Sequence, residues 1–93
     1  MKLELYKFDS CPYCVRVFDY IRKSGRTDIE MRDIMKNEAD YKRLLEVGGM
    51  DQVPCLFIDG VPMYESLDII DWLDKHPQDI SNMQIKKSWY GEY

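Results

Sequence analysis

Cys11-Pro12-Tyr13-Cys14 stands between a strand-like opening, Leu3 to Phe8, and a helix-like run that begins at Pro12, and this placement constrains the chain more than any other feature. Two intervening residues let the sulfurs bond across one helical turn, and proline is favoured at the first helical position because its missing N–H costs nothing there. With Pro12 in that position Cys11 is the N-cap, and its sulfur faces the unpaired amide hydrogens of Tyr13 and Cys14, groups that a cap atom normally satisfies. An anionic sulfur would be stabilised there. An ordinary cysteine, with a pKa near ~8.5, is only a few per cent thiolate at pH 7, and a shift of about three units takes roughly 4 kcal/mol. A helix dipole supplies about 0.3–1 kcal/mol, or ~2 in a partly buried geometry. Direct N–H···S bonds and a neighbouring cation must therefore supply most of it, with Lys7 the nearest candidate. Cys14, one turn further in, lacks those donors and suits a resolving thiol. The alternatives are two ordinary helix cysteines or half of a zinc site; a proline inside CxxC next to a βαβ pattern argues for a redox pair.

Ninety-three residues, 45% apolar and 32% charged, describe one small domain. A net charge of -4 with no basic run argues against nucleic acid or an anionic membrane surface as partner. The opening Met1 to Lys7 interleaves charges with apolar residues, unlike a secretion signal, and no later stretch is apolar enough to cross a bilayer, so a cytoplasmic protein is expected. In a reducing compartment a CxxC pair is catalytic more often than structural, and of the three cysteines Cys55 is left over.

Leu3, Leu5, Tyr6 and Phe8 read as a short buried strand stopped at Asp9-Ser10. Val15, Phe18 and Ile21, joined by Cys14 and Val17, recur at helical spacing until Ser24-Gly25. A weak strand over Asp28 to Ile34 precedes a helix capped by Asn37 that carries Tyr41, Leu44, Leu45 and Gly48 on one face. Strands separated by helices of this length predict parallel pairing with a right-handed crossover. Cys55 to Ile58, Asp59-Gly60 and Val61 to Tyr64 predict a hairpin, with Pro62 confining its second strand to an edge. Ser66 is expected to cap a last helix that turns Leu67, Ile69, Ile70, Trp72 and Leu73 inward and ends at His76-Pro77. The order is βαβαββα over residues 1–77. Residues 78–93 carry Trp89, Tyr90 and Tyr93 without a clear period and read as a tail with room for a short helix packed on the domain.

In this order the residues resemble the glutaredoxins over nearly all of positions 2 to 76. Cys11-Pro12-Tyr13-Cys14 is similar to the dithiol active site, Gln52-Val53-Pro54 to the segment whose proline is cis in thioredoxin-fold proteins, and Tyr64-Glu65-Ser66 to the Glu-Ser of glutathione transferase N-terminal domains. The resemblance implies an α/β thioredoxin-like fold, a four-stranded mixed sheet flanked by three helices. It also implies Cys11 and Cys14 as the catalytic pair, supported by Pro12, Tyr13 and Pro54. Lys7, Tyr13, Gln52, Val53, Pro54, Glu65 and Ser66 would then form the glutathione site. There the Val53 backbone would pair like a strand with the cysteinyl residue. Ser66 and the amides of the helix start would take the γ-glutamyl carboxylate, with Glu65 on the neighbouring ammonium. Taken without the resemblance, Ser66 reads more readily as a plain N-cap.

The chain also departs from the family pattern. Many glutaredoxins place a basic residue where Phe8 stands, and one step along a strand Lys7 faces the opposite side. Glu65-Ser66 replaces a Gly-Gly-containing segment, and the all-helical domain that transferases append is not seen in these 93 residues, so conjugation is not expected of it alone. Cys55 in a central strand reads as a buried, inert thiol. Cys11, Cys14, Cys55 and His76 lack the paired spacing of a zinc site, Pro12 argues against an iron–sulfur cluster, and no metal is expected.

The expected function is that of a glutathione-dependent thiol–disulfide oxidoreductase with glutathione as co-substrate and protein disulfides or glutathionylated thiols as partners. One alternative is an electron donor driven by thioredoxin reductase. Another is a non-catalytic module that binds glutathione or senses redox state.

Overall fold

The computed structural model describes residues 1–78. Its layers follow from the alternation along β1 (Leu3–Lys7), a strand buried on both faces. Leu3 and Leu5 point into one core, and Tyr6 points into another on the opposite side of the sheet. The four strands lie in the order β2 (Ile29–Asp33), β1, β3 (Cys55–Ile58), β4 (Val61–Tyr64). β2 runs parallel to β1, while β3 is antiparallel to both β1 and β4. This is the four-stranded mixed sheet of an α/β thioredoxin-like fold.

On the Leu3–Leu5 face, α1 (Pro12–Ser24) and α3 (Ser66–Lys75) contribute Val17, Ile21, Ile69 and Leu73, which pack against Leu56. On the other face α2 (Glu38–Arg43) continues into a π-helical turn, Leu44–Gly48, and Leu44 joins Tyr6, Cys55 and Phe57. The Tyr6 and Phe57 rings lie 4.4 Å apart, close enough for a favourable aromatic pair.

Local chemistry sets the boundaries. Gly25, at φ 74°, ends α1 by donating its N–H to the carbonyls of Ile21 and Arg22. The Asn37 side chain accepts from the amides of Ala39 and Asp40 at the start of α2. Asp59 and Gly60 both take positive φ in the hairpin turn, and Pro62 sits in the edge strand β4, where its missing donor breaks no ladder.

Three expectations are corrected. Val15 faces outward, because Cys14, Val17 and Ile21 already fill the narrow stripe that α1 turns to the sheet. Leu67 is 63% exposed for the same reason, with Ile69 and Leu73 as the buried apolar residues of α3. Ser66 is the first residue of α3, not its cap; the cap position belongs to Glu65, at φ 73°, and no side chain caps the helix. The tail expected over 78–93 lies, beyond Gln78, outside the described residues. Gln78 itself accepts from the Thr27 amide and donates to the Thr27 hydroxyl.

Candidate active site

Cys11 occupies the N-cap of α1 in extended conformation, with Pro12 as the first helical residue. Both sheet-facing helices begin at the same end of the molecule. The loop 49–54 closes the space between them with a cis peptide bond at Val53-Pro54, the geometry that the resemblance implied. The result is a cleft of about 720 Å³, within the usual range for a small-molecule site. Cys11 and Tyr13 line it from α1, Gln52, Val53 and Pro54 from the loop, and Glu65 and Ser66 from the start of α3. Seven of the candidate residues thus share one wall-to-wall space, although they come from three distant parts of the chain.

The Cys11 sulfur is 7% exposed as part of its residue and lies 4.0 Å from the Val53 carbonyl oxygen, to which the thiol donates. No bond from this sulfur to the helix-start amides is present. The expected capping by those amides is thus not seen; the sulfur pairs instead with a carbonyl of the loop across the cleft. Cys14 lies below the cleft and is fully buried. Burial, followed by the hydrogen bond and like charge of Cys11, pushes its thiol up to about 12 against the opposing pull of the Phe8 backbone and the Lys7 charge. A difference between an accessible and a withheld thiol is built into the pair. Cys11 and Cys14 are both free thiols, as is Cys55.

Gln52 donates through Nε2 to Glu65 Oε2 at 3.2 Å, which joins the loop to the start of α3. Ser66 is buried, and the first amides of α3 lack intrahelical partners, as at any helix start. A ten-residue helix with free amides, a hydroxyl and an adjacent carboxylate can hold an anion and a neighbouring cation together.

Lys7 is placed elsewhere. Its ammonium lies 2.8 Å from Asp9 and 3.3 Å from Asp33, over the ring of Phe18, and it does not line the cleft. Burial lowers its pKa, but the hydrogen bonds and charges of the two aspartates together outweigh that and hold it above the usual lysine value. Pro12 also stays off the lining; its role is to start the helix.

Sequence reasoning passed over Arg16, Asp51, Asp68 and Ile34, which also line the cleft. Arg16 was reachable, since it lies one helical turn from Tyr13 and shares its face. Asp51 was not, because its loop has no periodicity, and Ile34 closes a strand reading that gave no sign of a cleft. Among the described residues no group of three or more His, Cys, Asp or Glu side chains could hold a metal ion, and no helix is long and apolar enough to cross a membrane.

The family model "Glutathione S-transferase, N-terminal domain" matches residues 5–80. The dithiolic glutaredoxin 2-C-Grx1 from the pathogen Trypanosoma brucei brucei superposes with a TM-score of 0.62 at 26% identity, covering 81% of this chain and 78% of that one. Glutathione transferase Omega 3C from Trametes versicolor superposes with a TM-score of 0.69 at 23% identity over 82% of this chain but only 34% of the transferase, a likeness of fold. No curated protein sequence matches the chain.

Proposed function

The chain belongs to the glutathione S-transferase N-terminal domain family, within the glutaredoxin-like and transferase-like thioredoxin folds, and from that premise we propose that it is a glutathione-dependent thiol–disulfide oxidoreductase. The observation that carries the reading is the position of Cys11. It lies in the cleft beside the Val53 backbone and opposite the start of α3, with a second thiol one turn behind it.

The Cys11 thiolate attacks the glutathione sulfur of a glutathionylated protein, so an S–S bond forms between Cys11 and glutathione, the S–S bond between glutathione and the protein breaks, and the protein leaves as a thiolate that takes up a proton. A glutathione thiolate then attacks the resulting mixed disulfide, which returns Cys11 and releases glutathione disulfide. With a protein disulfide as substrate, Cys14 can instead resolve the mixed disulfide. The protein then departs as a dithiol, its two electrons supplied by the Cys11–Cys14 pair, which closes into a disulfide. The Val53 backbone offers strand-like pairing to the cysteinyl unit, while Ser66, the α3 amides and Glu65 receive the γ-glutamyl end.

Turnover of a glutathionylated peptide, coupled to glutathione reductase, tests the roles. Cys11→Ser is expected to abolish it, and Cys14→Ser to retain most of it because external glutathione suffices for release. Equal loss in both variants contradicts the assignment. Replacing glutathione and its reductase by thioredoxin reductase as the sole electron source is expected to give little turnover; efficient turnover there would favour the other donor.

A further inference from the structure

We infer that the cleft favours client proteins whose reactive sulfur is flanked by basic residues, with Asp51 and Asp68 as the specificity-determining side chains; this rests on the oxidoreductase reading above. Among the described residues the charged side chains lining the cleft are the acids Asp51, Glu65 and Asp68 and the base Arg16. Arg16 lies over the Tyr13 ring, 5.7 Å from its centre, and forms an ion pair with none of the three. On the helix surfaces carboxylates are balanced, as Asp19 is by Arg22, Glu38 by Lys42 and Asp71 by Lys75. No cation of the described residues comes within ion-pair distance of Asp51, Glu65 or Asp68.

Glu65 accepts from Gln52 and is committed to the ammonium in the glutathione reading. Asp51 accepts from the Tyr41 hydroxyl at 3.1 Å, which fixes the carboxylate without neutralising it. Asp68 stands in the first turn of α3 and, unlike Asp71 and Asp74 of the same helix, meets no side-chain partner among the described residues. A helix start favours an acid, which accounts for Asp68 but not for Asp51 in its loop. Apolar surface adjoins both charges: Leu67 and Tyr13, 63% and 59% exposed, line the cleft from α3 and α1. A client segment entering beside Cys11 therefore meets apolar contact and two unbalanced carboxylates. Charge complementarity across such a surface sets encounter rate and partner choice, and an acidic segment would be repelled. Both aspartates are exposed, so salt screens the effect.

The test uses two glutathionylated peptides of equal length, with lysines or with glutamates on either side of the modified cysteine, at saturating glutathione coupled to glutathione reductase. The unaltered protein is expected to favour the basic peptide in kcat/KM by about three- to tenfold at low salt, with the ratio shrinking as salt is added. Asp51→Asn combined with Asp68→Asn should bring the ratio near one, and Asp68→Lys should raise kcat/KM for the acidic peptide above that of the unaltered protein. A merely structural role would lower both peptides together and leave the ratio in place. A ratio near one in the unaltered protein overturns the inference, as does a ratio that survives the substitutions. An equal loss on both peptides does so too, since the acids would then serve the glutathionyl group. Each of these leaves the proposed function standing; failure of the unaltered protein to turn over either peptide overturns both.

Discussion

Cys14 and Cys55 are buried to the same degree but for different reasons, and both respond to alkaline pH. Burial pushes Cys55 up to about 11, opposed by hydrogen bonds from Tyr64 and the Met63 backbone, and pushes Cys14 up to about 12. A folded-state pKa raised above the unfolded one means that the unfolded chain releases the proton first. The stability tied to these thiols is therefore complete below about pH 9 and is lost as pH rises toward 11 and 12. Denaturant unfolding of the reduced protein at successive pH values from neutral upward should show a falling midpoint, with a shallower fall in Cys55→Ala. A midpoint independent of pH over this range would contradict the burial argument. The same asymmetry governs labelling: iodoacetamide near neutral pH should modify Cys11 well ahead of Cys14 and Cys55, as read by peptide mass mapping, because only Cys11 opens on the cleft. Modification of Cys14 first would reverse the assignment of attacking and resolving thiols.

Among the elements, the π-helical turn Leu44–Gly48 is the one that periodicity did not reveal. A helix face carrying Tyr41, Leu44, Leu45 and Gly48 was readable, but the widening after Arg43 was not. It is tied to packing: a Cβ on Gly48 would run into the Tyr64 hydroxyl of β4, which also donates to the Met50 carbonyl at 3.3 Å. Gly48→Ala should therefore destabilise the protein by about 1–3 kcal/mol, the usual cost of overpacking. Tyr64→Phe in the same chain should restore part of the loss by removing the clashing oxygen. Additive losses, measured by denaturant unfolding, would show that the glycine serves its own backbone instead. The helix starts differ in the same way. Asn37 was legible because its side chain caps locally, while at α3 the cap shifted to Glu65, which sits at positive φ and makes no side-chain cap bond.

Across the whole molecule, the least expected feature is Glu4, 2% exposed in the central strand. Its carboxylate meets Arg32 of β2 at 3.0 Å and Arg43 of α2 at 3.5 Å, and Arg43 also donates to the Tyr6 hydroxyl at 2.8 Å. This network joins an edge strand and a helix to β1 where an apolar core would otherwise be needed. Glu4→Ala leaves two guanidinium groups without their shared partner. Since both are partly exposed, the expected loss lies near the lower end of the usual range for breaking a buried pair, about 3 kcal/mol, measured by chemical denaturation. A loss below about 1 kcal/mol would mean that solvent replaces the pair as it does on a surface.

Order, pairing sense and the CxxC at the entrance of α1 were determined by the sequence alone, because periodicity, cap residues, the Asp-Gly turn and the Cys-Pro-Tyr-Cys spacing all act within a few residues. Tertiary structure decided which side chains those elements share. It buried Glu4 and exposed Val15 and Leu67, and it placed Arg16 on the cleft wall. It also turned the Cys11 thiol toward a carbonyl 42 positions away. Each of these depends on which surface of one element meets another, and such encounters carry no periodic trace in the chain itself.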